Sequence, residues 1–182
     1  IQCWVATGLT EKDEAEIFLT LNDKLNIDTF QKFKVALRAG REKEVAIACI
    51  INNEHLVISK DEVPGGVRAV GTLRKVYERD GAQSLGRSLA LIRDSFGDSG
   101  FEAKIIDGFG LLCNRYNGVL DEKKSAVTLS RMNGGAKGLL GIAKQLHIKT
   151  GNTKSQCVAA AAVTAINRDR TGKHKLVSWF KE

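Results

Sequence analysis

Apolar residues recur at helical spacing along most of this chain, and glycines or capping residues close each run. The first run opens at Thr10, with Asp13 three residues on and Leu9 just before the cap. That arrangement predicts a capping box and a hydrophobic staple at the head of a helix over 11–22. Its spacing turns Ala15, Phe18 and Leu21 inward and leaves Glu11, Glu14 and Glu16 in water. Asp28 with Gln31 opens a second helix whose Phe30, Phe33 and Leu37 share a face, and Gly40 is its expected stop. A third, over 42–53, is apolar through Ile47, Cys49, Ile50 and Ile51.

The period then changes. Leu56-Val57-Ile58 is short and β-branched, and Pro64-Gly65-Gly66 follows, which predicts a short strand or hairpin arm. From there the helical period returns: 67–80 with Val70, Leu73, Val76 and Tyr77, closed by Gly81; 84–96 with Leu85, Leu89, Ile92 and Phe96, closed by Gly97. Next comes 101–116 with Phe101, Ile105, Phe109, Leu112 and Tyr116, then a helix capped by Asp121 and running through Leu129 and Met132. After a Gly134-Gly135 break comes 138–147 with Leu139, Ile142, Ala143 and Leu146, and after Gly151-Asn152 comes 154–168 behind the cap Thr153. The fold class expected is mainly α, a multi-helix bundle with a short β segment near 56–58 and an N-terminal strand over 1–5. That opening stretch reads as a strand already under way, as if an earlier part of a domain preceded it. Pro64-Gly65-Gly66 divides the chain into 1–63 and a helical domain 67–182.

Charge changes the picture more than composition does. Hydrophobic content of 43% and charged content of 27% are ordinary for a globular protein. Residues 131–182, however, carry ten Lys and Arg against two acids, a net of +8, whereas 1–130 sum to −1. A block of one sign attracts polyanions, so double-stranded DNA is the first partner expected, with acidic proteins and anionic lipid behind it; solubility alone is the plain alternative. Cys3, Cys49, Cys113 and Cys157 have no metal-ligand spacing and read as buried thiols of a cytoplasmic protein. The longest apolar run, 157–163, is too short for a membrane span.

Little in the chain suggests catalysis, a metal or a cofactor. His55, His147 and His174 pair with no second ligand, and no nucleophile elbow or phosphate loop occurs. Gly108-Phe109-Gly110 is half of a dinucleotide fingerprint, but it lies in a helical stripe, where close helix packing explains it better. Asp61-Glu62 and Asp121-Glu122 read as turn and cap residues.

The suggestive part is 139–168. Two helices separated by Gly151-Asn152 fit a helix-turn-helix, with Ala143 as the small residue and Lys154, Ser155 and Gln156 in the first turn of the second helix, where base-reading side chains belong. His147 stands where the common pattern has Gly, so a simple helical hairpin fits equally well. Lys144, Lys149, Arg168, Arg170, Lys173 and Lys175 are the candidate phosphate contacts. Trp179 is a candidate for stacking on a base or for anchoring the basic tail over 168–182 onto the core.

The stretch 1–5 followed by Gly8-Leu-Thr-Glu-Lys-Asp-Glu-Ala-Glu-Ile-Phe-Leu-Thr-Leu-Asn22 resembles the end of the ParB-like domain of the ParB/sulfiredoxin superfamily. Gly71-Thr-Leu-Arg-Lys-Val-Tyr-Glu-Arg-Asp-Gly81 and Ile166-Asn-Arg-Asp-Arg170 with Leu176 and Trp179 are similar to ParB-like proteins of bacteriophages and actinobacteria. The resemblance implies DNA-linked work in a bacterial cytoplasm. The superfamily's arginine box lies upstream of such a strand and has no counterpart here, so no nucleotide-binding or catalytic residue carries over. Three readings stand: a DNA-binding regulatory protein; a protein-interaction or accessory module that modulates a DNA-acting partner such as a recombinase; and a fragment of an enzyme completed by other residues; the partners expected besides DNA are another protein or a second copy in a homodimer.

Overall fold

A computed structural model describes residues 7–22 and 28–180. The strand expected over 1–5 and Cys3 lie outside these residues. The described chain is mainly helical, with α1 Glu11–Leu21, α2 Thr29–Arg38, α3 Glu42–Asn53, α4 Val70–Phe96, α5 Ala103–Arg115, α6 Glu122–Ser130, α7 Gly135–Thr150 and α8 Lys154–Arg168. Two-residue strands β1 Val57–Ile58 and β2 Gly66–Val67 pair in parallel. The short strand expected near 56–58 is thus present, and its pairing is parallel, not that of a hairpin. The 59–65 loop swings wide and brings Val67 back alongside Ile58, so Val67 belongs to a strand and α4 starts three residues later.

Local chemistry sets the helix ends. Thr10 and Asp13 form the reciprocal capping box of α1, Asp28 caps α2, Asp121 caps α6, and Thr153 with Gln156 closes a second box at α8. At the end of α3, His55 takes φ 58°, its N–H donates to the Asn52 carbonyl and that of Leu56 to Ile51, a Schellman turn with a non-glycine residue in the left-handed position. α4 is interrupted at Gly81 (φ 85°, ψ 168°), so its 27 residues act as two helices meeting at that residue.

One hydrophobic core runs from Phe30 to Leu176. α4 packs chiefly on α5, then on α6 and α3, and α5 also packs on α8. Both α5 and α8 are enclosed: Ile105 through Gly110 and Cys157 through Val163 are buried without interruption. The α5–α8 crossing is closest at Gly108, where a Cβ would stand 2.6 Å from Val158 Cγ1 and 2.9 Å from the Ser155 carbonyl oxygen. Gly110 meets α4 the same way, 2.6 Å from Val76 Cγ1. Close packing is thus the role of the Gly108-Phe109-Gly110 glycines.

Three expectations about burial are corrected. Of the α1 stripe only Ala15 is buried; Phe18 and Leu21 are exposed, and so is Leu9. Ile142 is also exposed. Cys49 is exposed, whereas Cys113 and Cys157 are buried, and burial pushes the Cys113 thiol up to about 12.

Candidate functional site

The cations of this chain are used differently in its two parts. Among the described residues, every ion pair takes its cation from the stretch 41–124, as in Arg41–Glu16, Arg74–Glu44, Arg87–Glu122 and Arg93–Glu54. Arg131, Lys137, Lys144, Lys149, Lys154, Arg168, Arg170 and Lys175 form none. Among the described residues the C-terminal charge block is thus without ion pairs to the acids of the fold.

Lys137 lies in a separate depression lined by Asp61, Glu62, Asp98 and Glu102, whereas Lys144, Lys149, Lys154, Arg168, Arg170 and Lys175 lie toward the two ends of α8. At its N-terminal end, Lys144 of α7 and Lys154 of α8 are joined by Lys104 of α5 around a groove of about 530 Å³, floored by Leu140, Gly141, Ala143 and Val158 and flanked by His147 and Ile148. No carboxylate lines it. The N-termini of α5 and α8 both lie at this groove, with Glu102 at the N-cap of α5 and Asp107 bonded to Ser155 in the first turn of α8. His147 Nδ1 lies 2.5 Å from the Asn152 carbonyl oxygen and pins the turn between α7 and α8. Lys149 is exposed in the last turn of α7, a favourable place for a cation.

At the C-terminal end, Arg168 and Lys175 are exposed. Arg170 holds the tail instead, donating to Ser125 Oγ at 3.1 Å and to the His174 carbonyl at 3.3 Å. Lys123 and Lys124 of α6 stand beside Arg170 around a shallow depression. Lys173 lies in a 3-10 turn, Gly172–His174. The tail is anchored by Asn167, which donates to and accepts from the Leu176 backbone at 2.8 Å, and by Trp179. That indole packs on Tyr116 at 6.0 Å, with the Arg115 guanidinium 4.6 Å from its ring centroid. Trp179 is thus an anchor, not a free stacking platform.

Two candidate base readers face the protein. Ser155 Oγ donates to Asp107 at 2.5 Å, and Gln156 Oε1 accepts from the Thr153 N–H at 3.1 Å to close the cap. Asp107 is a buried hub that also receives Lys75 Nζ and Arg79 Nη1, each at 2.6 Å. Burial pushes its pKa upward, but the Lys75, Ser155 and Arg79 bonds outweigh that and hold it below the ordinary carboxylate value. Because α8 is enclosed from Cys157 to Val163, only its first and last turns reach the surface, and it offers no long face to lie in a major groove.

Lys104 is the site residue that sequence reading missed. It lies forty residues before Lys144, inside a helix read only for its apolar stripe, and only the α5–α8 crossing brings it to the groove. Among the described residues no His, Cys, Asp and Glu cluster could hold a metal ion, and no helix is long and apolar enough to cross a membrane. No family model, curated protein or solved structure matches the chain.

Proposed function

We propose that this chain binds duplex DNA through its phosphates, using Lys104, Lys144, Lys149 and Lys154 at one end of α8 and Arg168, Lys175 and Lys123 at the other. The observation that carries the reading is the set of C-terminal cations without carboxylate partners: no intramolecular pair has to be broken before they meet phosphate. The two patches are separated by about 21 Å along α8, fourteen residues at 1.5 Å each. With Ser155 and Gln156 committed to the fold, contacts fall on the backbone and the expected selectivity among sequences is weak. The ParB-like resemblance points the same way, toward DNA-associated work.

Fluorescence anisotropy on labelled random-sequence duplex tests this. Lys144→Glu with Lys154→Glu should weaken binding at least about tenfold, equally for unrelated sequences. Lys154→Glu also places an acid in the first turn of α8, where it favours the helix, so lost binding would not reflect unfolding. Unchanged affinity in that variant would remove the α7–α8 surface from the reading.

A second reading, an accessory module that docks on a DNA-acting protein, draws on a different observation: Ile148 is 74% exposed at the edge of the lysine groove. It predicts weak DNA binding by the isolated chain and co-purification of one specific partner.

A further inference from the structure

α1 carries an unpartnered face that complements the lysine groove. It packs chiefly on α2, through the side that bears Ala15. The flank beside it presents Glu14, Ile17 and Leu21 at i, i+3 and i+7, with Phe18 at the edge nearest α2, and Ile17, Phe18 and Leu21 are 41%, 40% and 74% exposed. Glu11 and Asp13 border that face, and neither Glu11 nor Glu14 forms an ion pair among the described residues. The face is therefore acidic and apolar. The groove is its counterpart: three lysines from three helices, an apolar floor and no carboxylate. Gly141 leaves it open, since a Cβ there would meet nothing within 4 Å.

We propose that the α5–α7–α8 groove receives α1 of a second copy of this chain. An amphipathic helix in an apolar groove supplies the contact area, and opposite charges at the rim fix its orientation. The two surfaces are different patches, so the contact is head to tail. Each added copy leaves a free α1 at one end and a free groove at the other, and association runs past the dimer unless the ring closes. Burying Ile17, Phe18, Leu21 and Ile148 provides the apolar driving force, and the carboxylate–lysine pairs make the association salt-sensitive.

Sedimentation velocity of the protein alone, from ~10 to ~200 µM at low salt, tests the proposal. The wild type should show a weight-average mass rising above the 19.8 kDa of one chain, reduced by ~0.5 M salt. Glu14→Lys and Lys144→Glu should each weaken association at least tenfold, and an equimolar mixture of the two variants should restore it, because each then supplies the surface the other lacks. Gly141→Leu should block association by filling the groove, with circular dichroism confirming that the fold is kept. A wild type that stays at one chain's mass across the range overturns the proposal, as does association indifferent to both charge reversals. No nucleic acid is present, so either result leaves the DNA reading separately testable.

Discussion

Gly108→Ala is the most informative single change in the fold, because the α5–α8 crossing places Lys104 beside Lys154. The added Cβ would meet Val158 Cγ1 at 2.6 Å, Val158 Cβ at 2.7 Å and the Ser155 carbonyl oxygen at 2.9 Å. Two of those neighbours, a Cβ and a backbone oxygen, cannot rotate away, so the helices must separate. Overpacking of this kind costs about 1–3 kcal/mol, and the better helix propensity of alanine returns up to about 1 kcal/mol. The expected net is a destabilisation of about 1–2 kcal/mol. In a chain of this length that lowers Tm by roughly 2–8 °C. Gly141→Ala is the control: it has the same propensity gain and no neighbour within 4 Å, and should stabilise by about 0.5–1 kcal/mol. Urea denaturation followed by circular dichroism reads both. Adding Val158→Ala to Gly108→Ala should relieve the Cγ1 contact without restoring stability, since the Cβ and carbonyl contacts remain. A Gly108→Ala protein as stable as the wild type would refute the close crossing and, with it, the placement of Lys104 at the groove.

Other consequences follow from the same structure. Asp107 has a lowered pKa in the fold, so its contribution is present above the ordinary carboxylate value and is lost as pH falls through the folded one; urea midpoints should drop below about pH 4, and Asp107→Asn should flatten that dependence while costing about 1–3 kcal/mol. His55→Gly relieves a left-handed residue in the Schellman turn after α3 and should stabilise by about 1 kcal/mol in the same assay. Under native conditions a maleimide should modify Cys49 quickly and leave Cys113 and Cys157 unmodified until urea unfolds the chain, as read by peptide mapping.

Where local chemistry decides the structure, the sequence made it legible. The caps Thr10, Asp28, Asp121 and Thr153 and the glycine breaks at 81, 134 and 151 mark the helix ends because each satisfies or terminates backbone hydrogen bonds within a few residues. The period alone could not say what covers a stripe: Phe18 and Leu21 have the same spacing as Phe30 and Phe33, yet they stay exposed while Phe30 and Phe33 are buried under α3 and α4. The alanine run of α8 fitted both a recognition helix and a core helix. Its uninterrupted apolar stretch was the signal for burial all round, since small residues let neighbouring helices close in from several sides. The charge block was visible as a count, but its meaning depends on pairing, which is a property of the fold. Ser155 looked available until Asp107, 48 residues earlier, was brought to it.

The most direct test of DNA binding is the salt dependence of affinity for random duplex. If about five lysines and arginines displace counterions, log K should fall with log salt at a slope near −4 to −5, a loss of roughly 10²–10³ between 50 and 200 mM. Lys144→Glu, Lys154→Glu and Arg168→Glu together should flatten that slope by about 3. A wild type that binds no tighter than ~100 µM at 50 mM salt, or a triple variant with the wild-type slope, would contradict the account.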